Sequence, residues 1–194
     1  MRRIPLALAT AATFACALTA PGVAVAASAA PAQATTGSAH KQPEGWRRCN
    51  NAYHRFSIGY PRLWHTTQLR AADKCRQFDR EPFTVPEASE YPITALNAVA
   101  TTAVFSELVQ SPNNPEFEER LLWQPTWVGG RGALRYETVS TGGGLYEKGT
   151  RTYGYAVNRN GTAFLVFTMT PPGDNRYAQN RAVVDRAVHT LRFR

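Results

Sequence analysis

The sequence predicts an α+β domain built on a largely antiparallel sheet, and three observations carry that prediction. Asn160-Gly161 stands between two alternating apolar segments, Gly129-Gly130-Arg131-Gly132 stands between two more, and an apolar stripe of helical spacing follows near residue 190. Asn-Gly tolerates the positive φ angles of a type I′ turn, so it is a strong short-range sign of a hairpin. Strands joined mostly by hairpins, with helices among and after them, pack as an antiparallel sheet with helices on it.

Residues 54–60 alternate, with Phe56, Ile58 and Tyr60 pointing one way and Arg55, Ser57 and Gly59 the other. This is the pattern of a half-buried strand, which Pro61 ends. Residues 64–67 predict a short second strand after a tight turn. Residues 69–75 are polar and read as a loop or one helical turn. Residues 77–90 carry Pro82 and Pro86 around Phe83 and Val85, an extended irregular segment. Residues 93–100 alternate again, with Ile93, Ala95, Asn97 and Val99 on one side of a strand. The period then changes, because Val104, Phe105, Leu108 and Val109 fall on one helical stripe within 103–110. Pro112 and Asn113-Asn114 end that helix.

Strands over 121–128 and 133–139 flank the glycine-rich turn, and strands over 153–158 and 162–170 flank Asn160-Gly161. In the last of these, Ala163, Leu165, Phe167 and Met169 oppose Phe164, Val166 and Thr168. Both faces are apolar, so the strand is central and covered on both sides. Asp174 or Asn175 is expected to cap a final helix. Its stripe of Tyr177, Val184, Ala187, Val188 and Leu191 covers one face of the sheet, while Arg176, Arg181 and Arg186 lie off the stripe toward water.

Ahead of this domain, residues 1–26 have the layout of an export signal. Arg2 and Arg3 precede an Ala-rich apolar run over 4–20, Pro21-Gly22 breaks it, and Ala24-Val25-Ala26 offers small residues for cleavage near Ala26. The run is short for a membrane span, and no other long apolar run exists, so no span is expected in the exported chain. Cys16 lacks the preceding Leu of a lipidation box and is expected to leave with the leader. Residues 27–43, rich in Ala, Pro, Thr, Ser and Gln, have almost nothing large to bury and read as a flexible tether. Residues 44–194 then form a single globular domain.

Removing the leader leaves two cysteines, Cys49 and Cys75. An even pair in an oxidising compartment forms a disulfide. The expected place of work is outside the cell, secreted into the envelope or medium.

The net charge is +8, two of it from the leader. The excess is arginine, scattered along the chain, with Arg47-Arg48 the densest pair and Arg176, Arg181, Arg186, Arg192 and Arg194 near the final helix. A basic surface favours acidic partners such as anionic cell-wall polymers, lipid headgroups or nucleic acid, or else simply keeps the protein soluble.

Signatures of chemistry are weak. Gly144 and Gly149 have the outer spacing of a phosphate-binding loop, yet Thr150-Arg151 stands where Lys and Ser or Thr belong, and a strand follows instead of a helix. The stretch 140–150 therefore reads as a long connection between strands. His40, His54, His65 and His189 lack accompanying ligands at metal-binding spacing. No nucleophile elbow is present, since Ser57 has Gly59 but no glycine before it. Glu116, Glu118 and Glu119, or Asp79 and Glu81, are the carboxylate groups that a hydrolase of wall polymers would use. Asn160-Gly161-Thr162 has the form of a glycosylation sequon, but its place in a hairpin turn explains it. Trp46, Trp64, Trp123 and Trp127 are spread out, and core or rim packing is their expected role. No catalytic, cofactor-binding or metal-binding residue is assigned, and no specific nucleic-acid site.

The run Phe56-Ser57-Ile58-Gly59-Tyr60-Pro61 with Trp64 resembles the opening strand and turn of PsbP-like domains, and the strand 162–170 with the helix 177–191 resembles their end. The stretch Cys75-Arg76-Gln77-Phe78-Asp79 with Pro82-Phe83-Thr84-Val85-Pro86 is similar to a subgroup of secreted actinobacterial proteins. The resemblance spans most of residues 46–194 and implies an αβα sandwich around an antiparallel sheet. Characterised members of that superfamily mostly act by binding other proteins, and it supplies no catalytic residues to carry over. The expected function is a secreted, non-enzymatic binding domain of the envelope or medium, with an unidentified protein or an anionic envelope polymer as partner. The alternatives are a carboxylate hydrolase of envelope polymers and a basic domain that binds anionic polymers.

Overall fold

The structure of the protein is a computed structural model that describes residues 44–67, 70–85 and 93–194. The expected leader and tether, with Cys16 and His40, lie outside the described residues, as do Leu69 and Pro86.

Among the described residues, ten strands form two antiparallel sheets. A three-stranded sheet has the order β1-β2-β10, from β1 (Trp46–Asn51), β2 (Phe56–Pro61) and β10 (Arg192–Phe193). A seven-stranded sheet has the order β3-β4-β5-β9-β8-β7-β6. Its strands are β3 (His65–Thr66), β4 (Gln77–Asp79), β5 (Leu96–Val104), β6 (Glu118–Val128), β7 (Arg131–Ser140), β8 (Arg151–Arg159) and β9 (Thr162–Thr170). The helices are α1 (Phe105–Gln110) and α2 (Tyr177–Thr190).

The two expected hairpins are present. β6 and β7 turn at Gly129-Gly130, and β8 and β9 turn at Asn160-Gly161. Asn160 and Gly161 have φ of 53° and 93°, the left-handed conformation that a type I′ turn demands. β9 pairs with β5 on one side and β8 on the other, so it is central as its two apolar faces predict.

Those two faces feed separate clusters. On one, Phe164 and Val166 of β9, Tyr153, Tyr155 and Val157 of β8, and Leu96 and Ala98 of β5 pack with Val184, Ala187 and Val188 of α2 and with Phe56 and Ile58 of β2. Each large apolar side chain buried there contributes about 1.5–3 kcal/mol. On the other face, Leu134, Ala156 and Ala163 pack with Phe105, Leu108 and Val109 of α1. The stripe expected for α2 is thus buried from Val184 to Val188, while that of α1 is only half-buried through Phe105, Leu108 and Val109, and Val104, expected to join it, ends β5 and is exposed.

Four expectations need correction. The short strand at 64–67 contracts to His65–Thr66 and pairs with β4, in a different sheet from β2. A turn closed by Trp64 N donating to Pro61 O at 3.0 Å redirects the chain between them. Residues 77–79, read as irregular, form β4, because Gln77 and Phe78 pair with Asn97 and Leu96. Asp174 does not cap α2, whose first flanking residue is Arg176. Instead Asp174 accepts from the Arg176 backbone N at 2.8 Å and pairs with its guanidinium at 2.7 Å. Arg181, expected to point to water, is half-buried and folds back over the ring of Tyr153 at 4.6 Å, whereas Arg186 is exposed as expected, with its guanidinium 5.1 Å from the ring of Trp46.

Cys49 and Cys75 are joined by a disulfide, as the cysteine count predicts. It ties β1 to the turn that precedes β4.

Candidate functional site

The carboxylates singled out in the sequence do not converge. Asp79 accepts the backbone N–H groups of Arg80 and Ala95 at 2.7 and 2.8 Å, so both its oxygens hold the chain in place. Glu81 is exposed. Glu118 and Glu119 are successive residues of β6 and therefore point to opposite faces; Glu118 pairs with Arg120 at 3.2 Å. His54 lies in the turn before β2 and His65 in β3, so they do not face each other across a strand pair. No group of three or more His, Cys, Asp or Glu able to hold a metal ion occurs among the described residues.

The glycine-rich stretch is the connection between β7 and β8. It is closed by Gly149 N donating to Ser140 O at 2.8 Å and by Ser140 N donating to Thr150 O at 2.9 Å. It roofs an apolar cleft of about 330 Å³ on the α1 face, with Phe117, Tyr136, Tyr146 and Met169 among its walls. A second recess of about 220 Å³ adjoins it by Trp123 and Leu108. Glu118 is the sole carboxylate on either wall.

A polar network joins α2 to the opposite face. Tyr153 and Tyr155 both donate to Asp185 Oδ1, and Arg135 Nε donates to the Tyr153 hydroxyl at 2.8 Å. Burial, reinforced by Tyr153 and Asp185, pushes the Tyr155 phenol far above its ordinary value. Glu137, only 6% exposed, receives Arg151 at 2.5 Å and Arg181 at 3.4 Å. Asp185 of α2 is matched by two donors from β8, and Glu137 of β7 by Arg151 of β8 and Arg181 of α2, so the network fastens α2 in place.

Where the three-stranded sheet meets the turn end of β7 and β8, the balance of charge is different. Arg131 opens β7 just after one hairpin turn, and Arg159 closes β8 just before the other. Their guanidinium carbons lie 5.0 and 5.4 Å from the centroid of the same ring, Phe193 of β10. The Arg194 backbone N donates to Arg55 O at 2.9 Å, which brings Arg55 to the end of β10. On β10 itself, Arg192 pairs with Ser57, and across β2 the guanidinium of Arg48 donates to Ser57 Oγ and to Thr190 O, both at 3.0 Å. Arg194 donates to Asn50 Oδ1 at 3.0 Å.

Six arginines from five segments of chain thus fall into two groups: Arg131 and Arg159, with Arg55, on the Phe193 side of β10, and Arg48, Arg192 and Arg194 on the other face of the three-stranded sheet, because successive strand residues point to opposite faces. None of them forms an ion pair with a carboxylate side chain among the described residues. Burial, then Arg131 and Arg55, pull the Arg159 guanidinium below its ordinary pKa, and burial, then Arg192 and Arg194, do the same to Arg48. His54 is held below its ordinary value by burial and then by Arg159 and Arg76. The nearby acid, Asp73, is already paired with Arg70 at 2.7 Å and Arg76 at 3.5 Å. Arginines that are scattered along the sequence are therefore gathered by folding into these two groups. Like charges facing each other across a sheet are destabilising, so each group is an electrostatic cost that an anion would relieve.

No helix among the described residues is long and apolar enough to cross a membrane.

No protein-family model matches the chain, and no curated protein does. Among solved structures, the chain is similar to the solution structure of cyanobacterial PsbP from Synechocystis sp. PCC 6803, with a TM-score of 0.47 and 10% identity over 85% of this chain and 100% of that one. It is also similar to a crystal structure from Bacteroides thetaiotaomicron VPI-5482, with a TM-score of 0.37 and 14% identity over 72% of this chain and 45% of that one.

Proposed function

We propose that this protein is a binding domain without chemistry of its own, which works outside the cytosol and engages an anionic partner through these arginines. One observation carries the reading: Arg131 and Arg159 meet over Phe193 on one side of β10 and Arg48, Arg192 and Arg194 gather on the other, with no carboxylate side chain ion-paired to any of them among the described residues. A guanidinium carries its full charge at any physiological pH and offers five donors in a fixed fork. Such a surface attracts anions and speeds their encounter. The export-signal layout of residues 1–26 and the disulfide support an oxidising place of work. We read the architecture as an αβα sandwich of the PsbP-like kind. The packing of α2 on one face of the sheet and of the half-buried side chains of α1 on the other supports this, together with the motif at 56–64.

The test is retention of the purified protein on immobilised dextran sulfate at low ionic strength. The wild type is expected to bind and to elute with salt, and R131Q/R159Q/R192Q/R194Q is expected to flow through while keeping its far-UV spectrum and melting transition. Equal retention of the variant, or no retention of the wild type, would overturn the reading.

A further inference from the structure

On the α1 face of the seven-stranded sheet, Met169, Thr152 and Thr138 form one row across β9, β8 and β7. The two threonines are short, and aromatic rings surround them. Tyr136 and Phe167 stand two residues away along their strands, and Phe117 and Tyr146 come from the chain beside the sheet. Short side chains among long ones leave a hollow, which is the cleft of about 330 Å³. The six-residue helix α1 packs farther along the sheet, over Leu134, Ala156 and Ala163, and contributes no side chain to this wall.

The roof of the cleft is held in place. Beyond the closure at its stem, Ser140 Oγ donates to Tyr146 O at 2.9 Å. Thr141 N donates to Phe117 O at 3.1 Å, which latches the loop to the segment before β6. A cleft formed in advance spares a ligand the cost of ordering it.

Volume and walls set the body of that ligand. An apolar cavity of about 150 Å³ holds one benzene, so this cleft has room for about two rings. Aromatic walls gain from ring-to-ring contact beyond the area buried. Leu145 and Phe117 at its edge are 94% and 45% exposed, apolar surface that such a body would cover.

Glu118 sets the polar end, because it lines both this cleft and the adjoining recess. Its Oε1 accepts from Arg120 Nε at 3.2 Å, and Arg120 is itself fixed by donating to Ser111 O at 2.8 Å and Pro112 O at 2.9 Å. Glu118 Oε2 accepts no hydrogen bond from any described residue. A carboxylate only accepts, so its ligand must donate. A cationic donor would meet Arg120, and an anion would meet Glu118. A hydroxyl donates without bringing charge.

We propose that the cleft under the 141–150 loop binds an uncharged aromatic molecule of about two rings, whose hydroxyl donates to Glu118. Nothing in this site depends on the arginines around β10, so it stands or falls apart from the function proposed above.

The test is fluorescence titration of the full chain with naphthol, naphthalene, naphthoate and naphthylmethylammonium at neutral pH, with n-decanol as a competitor. Naphthol is expected to bind about tenfold or more tighter than the other three naphthyl compounds, the effect of one hydrogen bond to a charged acceptor. Displacing it is expected to take about a tenfold excess or more of n-decanol. Glu118→Ala is expected to bind naphthol and naphthalene alike. Thr152→Met, which fills the hollow, is expected to weaken both by about tenfold or more. Melting transitions check that each variant is folded. Naphthol binding no tighter than naphthalene, or a Glu118→Ala protein that keeps the preference, would overturn the role of Glu118. Equal competition by n-decanol would overturn the aromatic assignment. Undiminished binding by Thr152→Met would place the ligand elsewhere and overturn the site. Binding that weakens as protein concentration rises would show a second copy of the chain covering the cleft, and would overturn it as well.

Discussion

Gly59 and Thr190 are in direct contact across the molecule. The Gly59 backbone N donates to Thr190 Oγ1 at 2.6 Å, and a Cβ placed on residue 59 would lie 2.8 Å from that same oxygen. Thr190 is the last residue of α2, and β10 begins two residues later. The contact therefore fixes where the helix ends against β2, and with it the position of Arg192 and Arg194. Gly59→Ala is expected to lower stability by about 1–3 kcal/mol through overpacking. Thr190→Val, which leaves the Gly59 N–H buried without its acceptor, is expected to cost a similar amount, about 1–3 kcal/mol. Thr190→Ser keeps the acceptor and should recover most of the loss. Urea denaturation of the three variants measures this, and a Gly59→Ala protein as stable as wild type would show that the contact is slack.

The disulfide closes a loop of 26 residues between Cys49 and Cys75. In the chain-entropy account such a loop is worth about 3–4 kcal/mol. Cys49→Ser/Cys75→Ser is expected to lose that amount by denaturant titration. The protein recovered from culture fluid is expected to begin near residue 27 and to resist alkylation until it is reduced. Two reactive thiols in the recovered protein would contradict an oxidising place of work.

Charge near Arg159 also makes stability depend on pH. Burial, then Arg159 and Arg76, hold the His54 imidazole below 6.5 in the folded protein, with Asp73 pulling the other way. The unfolded chain then binds more protons than the folded one just below pH 6.5. Stability from this group is present in full above that pH and declines as acid carries the solution down through the folded value. His54→Gln is expected to flatten the decline between pH 7 and pH 5 (~two pH units spanning the ordinary histidine range) in melting experiments. An unchanged profile would show that His54 does not contribute.

Asn160 holds a left-handed conformation at φ 53° and accepts a hydrogen bond from Arg131. Asn160→Ala is expected to cost about 1–2 kcal/mol, because a Cβ-bearing residue without a short polar side chain resists that conformation. Asn160→Gly should be close to neutral for stability. Thermal melts compare the two, and equal loss in both variants would place the cost in the side-chain contact and not in the turn.

The parts of this fold that could be read from sequence are those whose signals are local. Asn160-Gly161 marks its own turn, the two apolar faces of β9 announce a central strand, and the stripe from Val184 to Val188 declares the buried side of α2. β1 carries no such signal. Trp46-Arg47-Arg48-Cys49-Asn50-Asn51 has no apolar alternation, and it becomes a strand because β2 offers an edge and the disulfide holds it there. β10 is two residues long and owes its existence to the place where α2 ends. The separation of β2 from β3 depends on pairings that no local pattern encodes.

The arginine groups were hidden for the same reason, though one of them leaves a trace in the order of the turns. In an antiparallel run of strands, alternate turns lie at the same end of the sheet. Gly129-Gly130 and Asn160-Gly161 are such alternate turns, with the 141–150 connection at the other end. Arg131 follows the first and Arg159 precedes the second, so the two were bound to meet once β7 and β8 paired. The arrival of Phe193 between them depends on a second sheet joined through α2.

The most direct measurement is the salt dependence of dextran sulfate binding by the wild type and by R131Q/R159Q. If the arginines meet a polyanion through ionic contacts, log K falls linearly with log salt, and each contact removed reduces the slope by about 0.7–0.9. The double variant should then show a slope shallower by about 1.4–1.8 together with weaker binding. Affinity insensitive to salt, or one slope common to both proteins, would contradict the account.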